Sequence, residues 1–310
     1  MTALKLHLDT DLGGDIDDLC ALAIVLGWPG AELIAVTTNS DDGGRRAGYT
    51  RYALELAGRG DIPVAAGADV SLGCYRLHPG LPDEAAYWPE PVPPAPGRLD
   101  DALSLLERSI EQGAIIAAVG PFTNLALLER RSPGILRQAQ LYLMGGYVYA
   151  PRAGFPQWGN EMDWNVQADP DSALFVFQRS NPTLIPLSVT VETWLRQADL
   201  DRLRGSGPLA RLIAKQAEAF AQEEQMAERF GRTCPGLPDD IVNFLHDPLA
   251  VAIALGWEEG VEVAELPLRL TLEDGLLHER IEEGGRPTRV VTRVDGDKFS
   301  RFWLDTVTRA

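Results

Sequence analysis

The chain has 310 residues, of which 45% are hydrophobic and 24% charged, and its formal net charge is -17. These values are typical of a globular protein with a sizeable core, and the length suits one large α/β domain or two small ones. The negative charge disfavours nucleic acids and anionic membranes as partners. It favours a metal ion or a small neutral or cationic substrate.

The three cysteines, Cys20, Cys74 and Cys234, are far apart and form no CxxC pair. This spacing argues against a disulfide framework and against a structural zinc site. The sequence also has no uncharged apolar run of about 18 residues and no apolar leader near its beginning. We therefore expect no membrane span, no signal peptide and a cytoplasmic location.

The first predicted elements enclose a cluster of aspartates. Alternating apolar residues at 4–8 predict a strand, and the apolar run from residue 19 predicts a buried helix. Between them lie five aspartates, namely Asp9, Asp11, Asp15, Asp17 and Asp18. The carboxyl ends of strands in open α/β sheets are where ligands bind, so this cluster is the first candidate site.

The chemistry of the cluster leaves two interpretations. Carboxylates this close repel one another unless a cation or raised pKa values relieve them, and oxygen ligands suit Ca²⁺ or Mg²⁺. Asp9 and Asp11 are two apart and would share a side if the strand continued. Asp15 and Asp17 have the alternative interpretation of a helix cap and a first-turn charge.

Strands and helices then alternate along the chain. The patterns predict strands at 32–38, 63–66, 114–119, 141–144 and 183–187, a short strand after 163–165, and helices at 45–58, 99–113, from 125, at 170–179, within 199–230 and at 249–256. The last part predicts strands at 261–265, 268–272, 277–282 and 288–294 and a helix at 297–308. We found no linker or repeat, and the near-continuous apolar run at 114–119 is typical of a parallel strand covered on both faces.

This order predicts a single α/β domain over residues 1–310. Its core would be a doubly wound, mainly parallel sheet with helices on both faces. The long loop at 69–98 contains His78, and a loop of this length is usually functional. Nothing local distinguishes His78 from a solvated loop histidine.

His246 and Asp247 form a second candidate constellation at the start of a predicted helix. Asp247 could be an N-cap before Pro248, and His246 alone is more often a satisfied polar residue than a catalyst. These two residues gain a functional interpretation if they meet the aspartates near the beginning of the chain.

The segment 9–18, DTDLGGDIDD, closely resembles the first signature of the inosine–uridine-type nucleoside N-ribohydrolases, in the longer Gly-Gly-Asp-Ile form. Further similarities follow in the family's order at 35–38, 120–126, 144–146, 163–165, 169–170 and 246–250. The resemblance implies the family's fold, a Ca²⁺ cofactor, a small nucleoside substrate and a homodimer or homotetramer.

The resemblance also implies roles for the metal ligands and the catalytic groups. Asp11 is similar to the base that activates water and also touches the metal, and Asp18 to the main, bidentate Ca²⁺ ligand. Asp247 would be the distal Ca²⁺ ligand, and Thr123 would give a backbone carbonyl to the ion. His246 resembles the histidine near the nucleobase that helps to protonate the leaving group.

The remaining implied roles are contacts to the substrate. They fall on Asp17, Asp42, Met144, Asn160, Asp163 and Asn165 around the ribose, with His78 as a loop residue near the substrate. Asp163 stands where a glutamate is usual, so its reach to the ribose is shorter by one methylene. Residues 216–240 align poorly with the family, which leaves the choice of purine, pyrimidine or both open.

The implied activity is Ca²⁺-dependent hydrolysis of the N-glycosidic bond of ribonucleosides to ribose and free base. Such a bond breaks through an oxocarbenium-like cation, which nearby carboxylates stabilise. The alternatives are another N-riboside as substrate, or a non-catalytic Ca²⁺-dependent nucleoside or ribose binding protein. A haloacid-dehalogenase-like phosphatase is disfavoured, because none of Lys5, Lys215 and Lys298 lies in a suitable strand-end loop.

Overall fold

The computed structural model describes residues 3–72 and 81–309. Most of its strands form one nine-stranded sheet, and two form a small separate sheet. The strands are β1 (Leu4–Thr10), β2 (Ala31–Thr38), β3 (Val64–Ala66), β4 (Ile115–Ala118), β5 (Gln140–Met144), β6 (Thr183–Ile185), β7 (Trp194–Arg196), β8 (Ile241–Phe244), β9 (Glu262–Glu273), β10 (Leu276–Ile281) and β11 (Arg286–Arg293).

The large sheet has the strand order β10-β9-β11-β6-β5-β4-β1-β2-β3. Pairing is parallel from β3 across to β11, and antiparallel where β9 joins β11 and β10. The sheet is therefore mainly parallel with an antiparallel edge, as the sequence predicted. The small sheet pairs β7 with β8 in antiparallel fashion.

Helices cover both faces of the large sheet. They are α1 (Asp17–Gly27), α2 (Arg45–Leu56), α3 (Glu84–Tyr87), α4 (Leu99–Glu111), α5 (Thr123–Arg131), α6 (Trp164–Gln167), α7 (Pro170–Arg179), α8 (Leu187–Thr190), α9 (Leu200–Arg204), α10 (Pro208–Glu223), α11 (His246–Ala254) and α12 (Gly296–Val307). Strand β4 shows why two layers form, because Ile115 and Ala117 pack into one apolar cluster while Ile116 and Ala118 pack into the other.

Several predicted elements differ from the structure. Residues 164–167 form a helical turn rather than a strand, because the Asp163 carboxylate accepts the Val166 N–H as an N-cap. The two strands predicted at 261–265 and 268–272 are one strand, β9, which bears Pro267 within it. Strands β7 and β8, of three and four residues, were not predicted, and they pair only with each other in the small sheet.

The topology places the candidate residues at one edge of the sheet. Strand β1 lies between β4 and β2, so the chain reverses its winding direction next to β1. Loops leaving β1 and β4 then diverge to opposite sides and open a crevice at the carboxyl ends of the strands. None of the helices within the described ranges has the length and apolarity needed to cross a membrane.

Candidate active site

A cavity of about 410 Å³ opens at this edge of the sheet. One end is acidic, where Asp11, Asp15, Asp17, Asp18 and Asp247 line it. The other end is apolar and is lined by Met162, Trp158, Phe220, Met226, Phe230 and Phe244, with Glu224 and Arg229 beside them. A ligand that fills the cavity must therefore combine a polar part with a flat apolar part.

Three buried carboxylates meet at the acidic end. Asp17 and Asp18 begin α1, Asp247 is the second residue of α11, and these two helices pack together. One carboxylate oxygen from each of the three residues lies within 4.8 Å of the other two. The structure thus brings together the N-terminal aspartates and the distant Asp247.

Hydrogen bonds from the strand end and the helix start hold the three carboxylates. The Thr10 hydroxyl and the Asp11 N–H both donate to Asp18 Oδ1, the latter over 3.1 Å. The Asp247 N–H lies 3.4 Å from Asp17 Oδ2 and donates to it. These donors leave other carboxylate oxygens available to a ligand.

The electrostatics of the cluster are those of a cation site. Burial, and then repulsion from neighbouring aspartates, raises the pKa of Asp17 and of Asp247 well above its usual range. The pKa of Asp18 is raised by burial and by Asp11, while the Thr10 hydroxyl and the Arg46 guanidinium partly oppose the rise. A divalent cation would remove this repulsion, and an all-oxygen donor set fits Ca²⁺ or Mg²⁺.

Removal of divalent cations is expected to make thermal stability depend on pH. Carboxyls with raised pKa values bind protons in the folded state that the unfolded chain releases near pH 4, so stability falls as pH rises through the folded pKa values. We expect the melting temperature of the chelator-treated protein to fall between pH 5 and pH 8 and to fall less with Ca²⁺ present. Equal slopes with and without Ca²⁺ would contradict a cation site here.

Asp11 lies in the loop after β1 and lines the cavity. The loop after β4 approaches it closely at Gly120, where a Cβ atom would lie 2.6 Å from Asp11 Oδ1 and 2.8 Å from Asn39 Oδ1. Position 120 therefore requires glycine, because any side chain there would push the loop away from Asp11. Asn39 Oδ1 is buried and lacks a hydrogen-bond partner in the described part of the chain.

Asn39 is a buried neighbour of Gly120 that the sequence analysis did not single out, and it is not among the described residues that line the cavity. It follows β2, and its Nδ2 donates over 3.2 Å to Asp9 Oδ2, while a Cβ atom at Gly120 would lie 2.8 Å from its Oδ1. Asp42, the expected ribose contact of this loop, is exposed and is not among the described residues that line the cavity. Its neighbour Asp41 is buried and accepts the N–H groups of Arg46 and Ala47 at the start of α2.

Strand β1 ends at Thr10 and does not continue to Asp11, and Asp9, unlike Asp11, is not among the described residues that line the cavity. Its buried carboxylate accepts hydrogen bonds from the Thr37 hydroxyl at 2.5 Å and from Asn124 Nδ2 at 2.7 Å. Burial raises the pKa of Asp9 to about 6. Asp9 thus joins β1 to β2 and to α5 behind the cavity.

Three expected sugar-site residues lie together in the cavity wall. Asn165 Nδ2 donates to the carbonyls of Val119 at 2.8 Å and Met144 at 3.2 Å, which ties α6 to the ends of β4 and β5. Asp163 is buried, and its Oδ2 accepts the Gly146 N–H at 2.5 Å. Asn165, Met144 and Asp163 all line the cavity.

His246 lies between the acidic and aromatic ends. Its ring centroid is 5.2 Å from that of Phe244 and 6.4 Å from that of Trp158. Burial lowers the pKa of His246 to about 3, so the ring is neutral at pH 7 before substrate binds. Since the Thr190 hydroxyl donates to the Leu187 carbonyl, we assign the proton on His246 to Nδ1, which donates to Thr190 Oγ1 over 2.7 Å.

Two other expected residues, Thr123 and Asn160, are not among the described residues that line the cavity. The Thr123 hydroxyl donates to Asp169 Oδ2 at the start of α5, and Thr123 is not among the described lining residues. Asn160 Nδ2 donates over 3.1 Å to the Leu277 carbonyl of β10, which ties it to the antiparallel hairpin. His78, like Cys74, lies outside the described residues.

The family match and a curated relative, both given below, identify this chain as an N-glycosyl hydrolase. Residues 6–301 match the family described as "Inosine-uridine preferring nucleoside hydrolase", and the chain belongs to this family. It is 32% identical over 262 residues to a pyrimidine-specific ribonucleoside hydrolase, RihA, of Enterobacter sp. (strain 638), covering 81% of this chain and 78% of that protein.

Solved structures show the same fold at lower identity. A plant nucleoside hydrolase superposes with a TM-score of 0.80 at 21% identity, with 99% of each chain covered. A purine-preferring ribonucleoside hydrolase from Gardnerella vaginalis superposes with a TM-score of 0.79 at 21% identity, with 98% of each chain covered. The prediction of a doubly wound sheet of this family is confirmed.

Proposed function

We propose that this chain hydrolyses the N-glycosidic bond of ribonucleosides with the help of Ca²⁺, giving ribose and a free nucleobase. The observation that carries the proposal is the cavity, which has a buried carboxylate cluster at one end and aromatic rings at the other. A sugar matches the polar end and a nucleobase matches the aromatic end. The pyrimidine-specific relative supports a nucleoside as substrate.

The acidic end would hold the cation and activate water. Asp17, Asp18 and Asp247 each offer a carboxylate oxygen to the same point. We propose Asp18, Asp247, Asp11 and the backbone carbonyl of Thr123 as the ligands that the protein gives to the metal. A bound Ca²⁺ supplies Lewis acidity that lowers the pKa of water and binds ribose hydroxyls. Asp11 takes the proton from the attacking water, and the cluster stabilises positive charge at the sugar.

The cavity wall would orient the ribose. We propose Asp17, Asp163 and Asn165 as hydrogen-bonding partners of the sugar, with Met144 packing against it, because all four line the cavity. We also propose Asn39 Oδ1 as a partner of the sugar, on a different ground: Asn39 is not among the described lining residues, but this oxygen is buried near Gly120 and has no hydrogen-bond partner within the described residues. Asp42, Asn160 and His78 remain proposed substrate contacts without support from the cavity lining.

The aromatic end would hold the base and assist its departure. Trp158, Phe230 and Phe244 pack edge-to-face, with centroids 5.4 Å apart in each pair, and all three line the cavity. We propose that His246 gives the departing base its proton. Because the ring is neutral at pH 7 before substrate binds, it must gain its second proton in the enzyme–substrate complex.

The experiment that tests the proposed reaction follows the oxygen atom. Purine and pyrimidine ribonucleosides are incubated with the enzyme and Ca²⁺ in water enriched in heavy oxygen, without phosphate. Hydrolysis by attack of water at the sugar puts one heavy oxygen on ribose and none on the base. A protein that binds the nucleosides and releases no ribose would instead be the non-catalytic binding protein of the alternative reading.

A further inference from the structure

Two buried acidic side chains, Asp163 and Glu279, lie apart from the carboxylate cluster of Asp17, Asp18 and Asp247. Asp163 precedes α6 and Glu279 belongs to β10, and their side chains are 1% and 2% exposed. Asp163 faces the cavity, whereas Glu279 is not among the described residues that line it. Glu279 belongs to the hairpin of β9 and β10, which is distant in sequence from the motifs of the site. The reaction as proposed for this cavity gives it no role.

The loop after β5 holds the two carboxyls side by side. The Gly146 N–H donates to Asp163 Oδ2 over 2.5 Å, and the next N–H, that of Tyr147, donates to Glu279 Oε2 over 3.3 Å. The two carboxyls bind consecutive amides of one loop, and they lie close enough for the charge of Asp163 to raise the pKa of Glu279. Glu279 Oε1 is buried and has no hydrogen-bond partner among residues 3–72 and 81–309.

The cations of the hairpin are engaged elsewhere. Side chains alternate along β10, so His278 and Arg280 point to the opposite face from Glu279. Arg280 pairs with Glu273 at 2.7 Å, and Arg269 of β9 pairs with Glu282 at 2.6 Å. His278 is within 3.2 Å of Asn160 Nδ2.

The other elements packed against Glu279 add no cation to the pair. Helix α7 carries Asp171 and also Arg179, whose guanidinium stacks on the Phe175 ring at 3.9 Å. The loop before α6 adds Glu161, which is acidic, and the loop after β5 adds the Tyr147 phenol, whose pKa is raised by burial. Two buried carboxyls without a cation cannot both ionise near neutrality, so they retain a proton between them.

We propose that Glu279 is a positioning residue for the reaction, which shares one proton with Asp163 and thereby holds the cavity-facing carboxyl against the loop after β5. The inference rests on the proposed function, in which Asp163 binds the sugar. Glu279 Oε1, the oxygen that lacks a partner, carries the shared proton. When that proton leaves, two adjacent buried carboxylates repel and Asp163 moves away from its place in the wall.

The electrostatics of the two carboxyls agree with this arrangement. Burial, followed by repulsion from Asp163, raises the pKa of Glu279 to about 8. Burial raises the pKa of Asp163 to about 7, although the hydrogen bonds from the Gly146 and Val166 N–H groups act to lower it. The shared proton is therefore present at neutral pH and is lost as the pH rises above about 8.

The decisive variant is Glu279→Gln, which keeps the shape and the acceptor for the Tyr147 N–H but cannot ionise. For the wild type we expect the KM for a ribonucleoside to rise toward tenfold per pH unit above about pH 8, with a smaller change in kcat. In Glu279→Gln the KM stays level over the same range, each enzyme being compared with its own value at pH 6.5. Identical pH profiles of KM in the two enzymes would overturn the proposal.

A second measurement needs no turnover. Infrared spectra of the Ca²⁺-loaded proteins at pH 7 are recorded for the wild type, Glu279→Gln and Asp163→Asn. We expect the wild type to show a protonated-carboxyl band that is clearly weaker in Glu279→Gln, where only the half-protonated Asp163 of the pair contributes, and the remaining Glu279 of Asp163→Asn to ionise at lower pH than in the wild type. A wild type without that band would overturn the shared proton even if every nucleoside is hydrolysed. The band without any hydrolysis would instead refute the proposed function.

Discussion

Replacement of Asp11 by asparagine is expected to lower kcat for ribonucleoside hydrolysis by about 1,000-fold, because a positioned general base contributes roughly 100- to 10,000-fold. Asparagine keeps the size of the side chain beside Gly120 but cannot take a proton from water. The loss should lie in kcat more than in KM, since the water is activated after the nucleoside has bound. Steady-state kinetics at saturating Ca²⁺ measure both quantities.

The matched control for this experiment is Asp101→Asn. Asp101 is an exposed aspartate in the first turn of α4 and does not line the cavity, so its substitution removes the same charge without touching the site. Its kcat should remain within about twofold of the wild type. An Asp11→Asn enzyme that retains wild-type kcat would show that another group activates water.

Replacement of Asp247 by asparagine is expected to have opposite effects on metal binding and on the stability of the metal-free protein. Loss of a residue that only hydrogen-bonds to a metal ligand weakens metal binding by roughly 10- to 100-fold. Asp247 is proposed as a direct ligand, so its replacement should weaken Ca²⁺ binding by more than that. Without Ca²⁺ the variant should be more stable than the wild type at pH 8, since one buried, repelling carboxylate is gone.

Thermal unfolding with and without Ca²⁺ measures both effects. A ligand present at 100 times its Kd stabilises a protein by about 2.7 kcal/mol, and this gain should nearly vanish in Asp247→Asn at the same Ca²⁺ concentration. Asp101→Asn again serves as the control and should keep the full Ca²⁺-dependent rise in melting temperature. A variant that keeps that rise would remove Asp247 from the set of metal ligands.

The sequence was sufficient to predict the core of the fold because the signal there is local. The continuous apolar run at 114–119 requires burial on both faces, and β4 does alternate its side chains between two apolar clusters. The aspartates at 9–18 likewise stand between a strand pattern and a helix pattern, which fixes their place at the edge of the sheet. Local patterns also predicted that a helix begins near His246 and Asp247. That this helix start lies next to α1 was implied only by the family resemblance.

The remaining site features depend on contacts that local patterns do not encode. Sequence alone did not show that Asn39 turns toward Asp11 while Asp42 faces solvent, because the direction depends on the tight turn that starts α2. Nor did it show that Asp9 bonds to Thr37 and Asn124 instead of lining the cavity, because those partners are distant in sequence. Glu279 reaches Asp163 from a hairpin at the far edge of the sheet, and its strand pattern gave no sign of a buried carboxyl.

Ribose release from a panel of purine and pyrimidine ribonucleosides, measured with Ca²⁺ and again after addition of a chelator, tests the central claim most directly. We predict release with Ca²⁺, loss of release with the chelator and recovery when Ca²⁺ is restored, and the fastest nucleoside defines the base preference. Release that the chelator leaves unchanged would contradict a role for the cluster of Asp17, Asp18 and Asp247 as a catalytic metal site. The absence of release from every nucleoside by the folded, Ca²⁺-bound protein would contradict ribonucleoside hydrolysis itself.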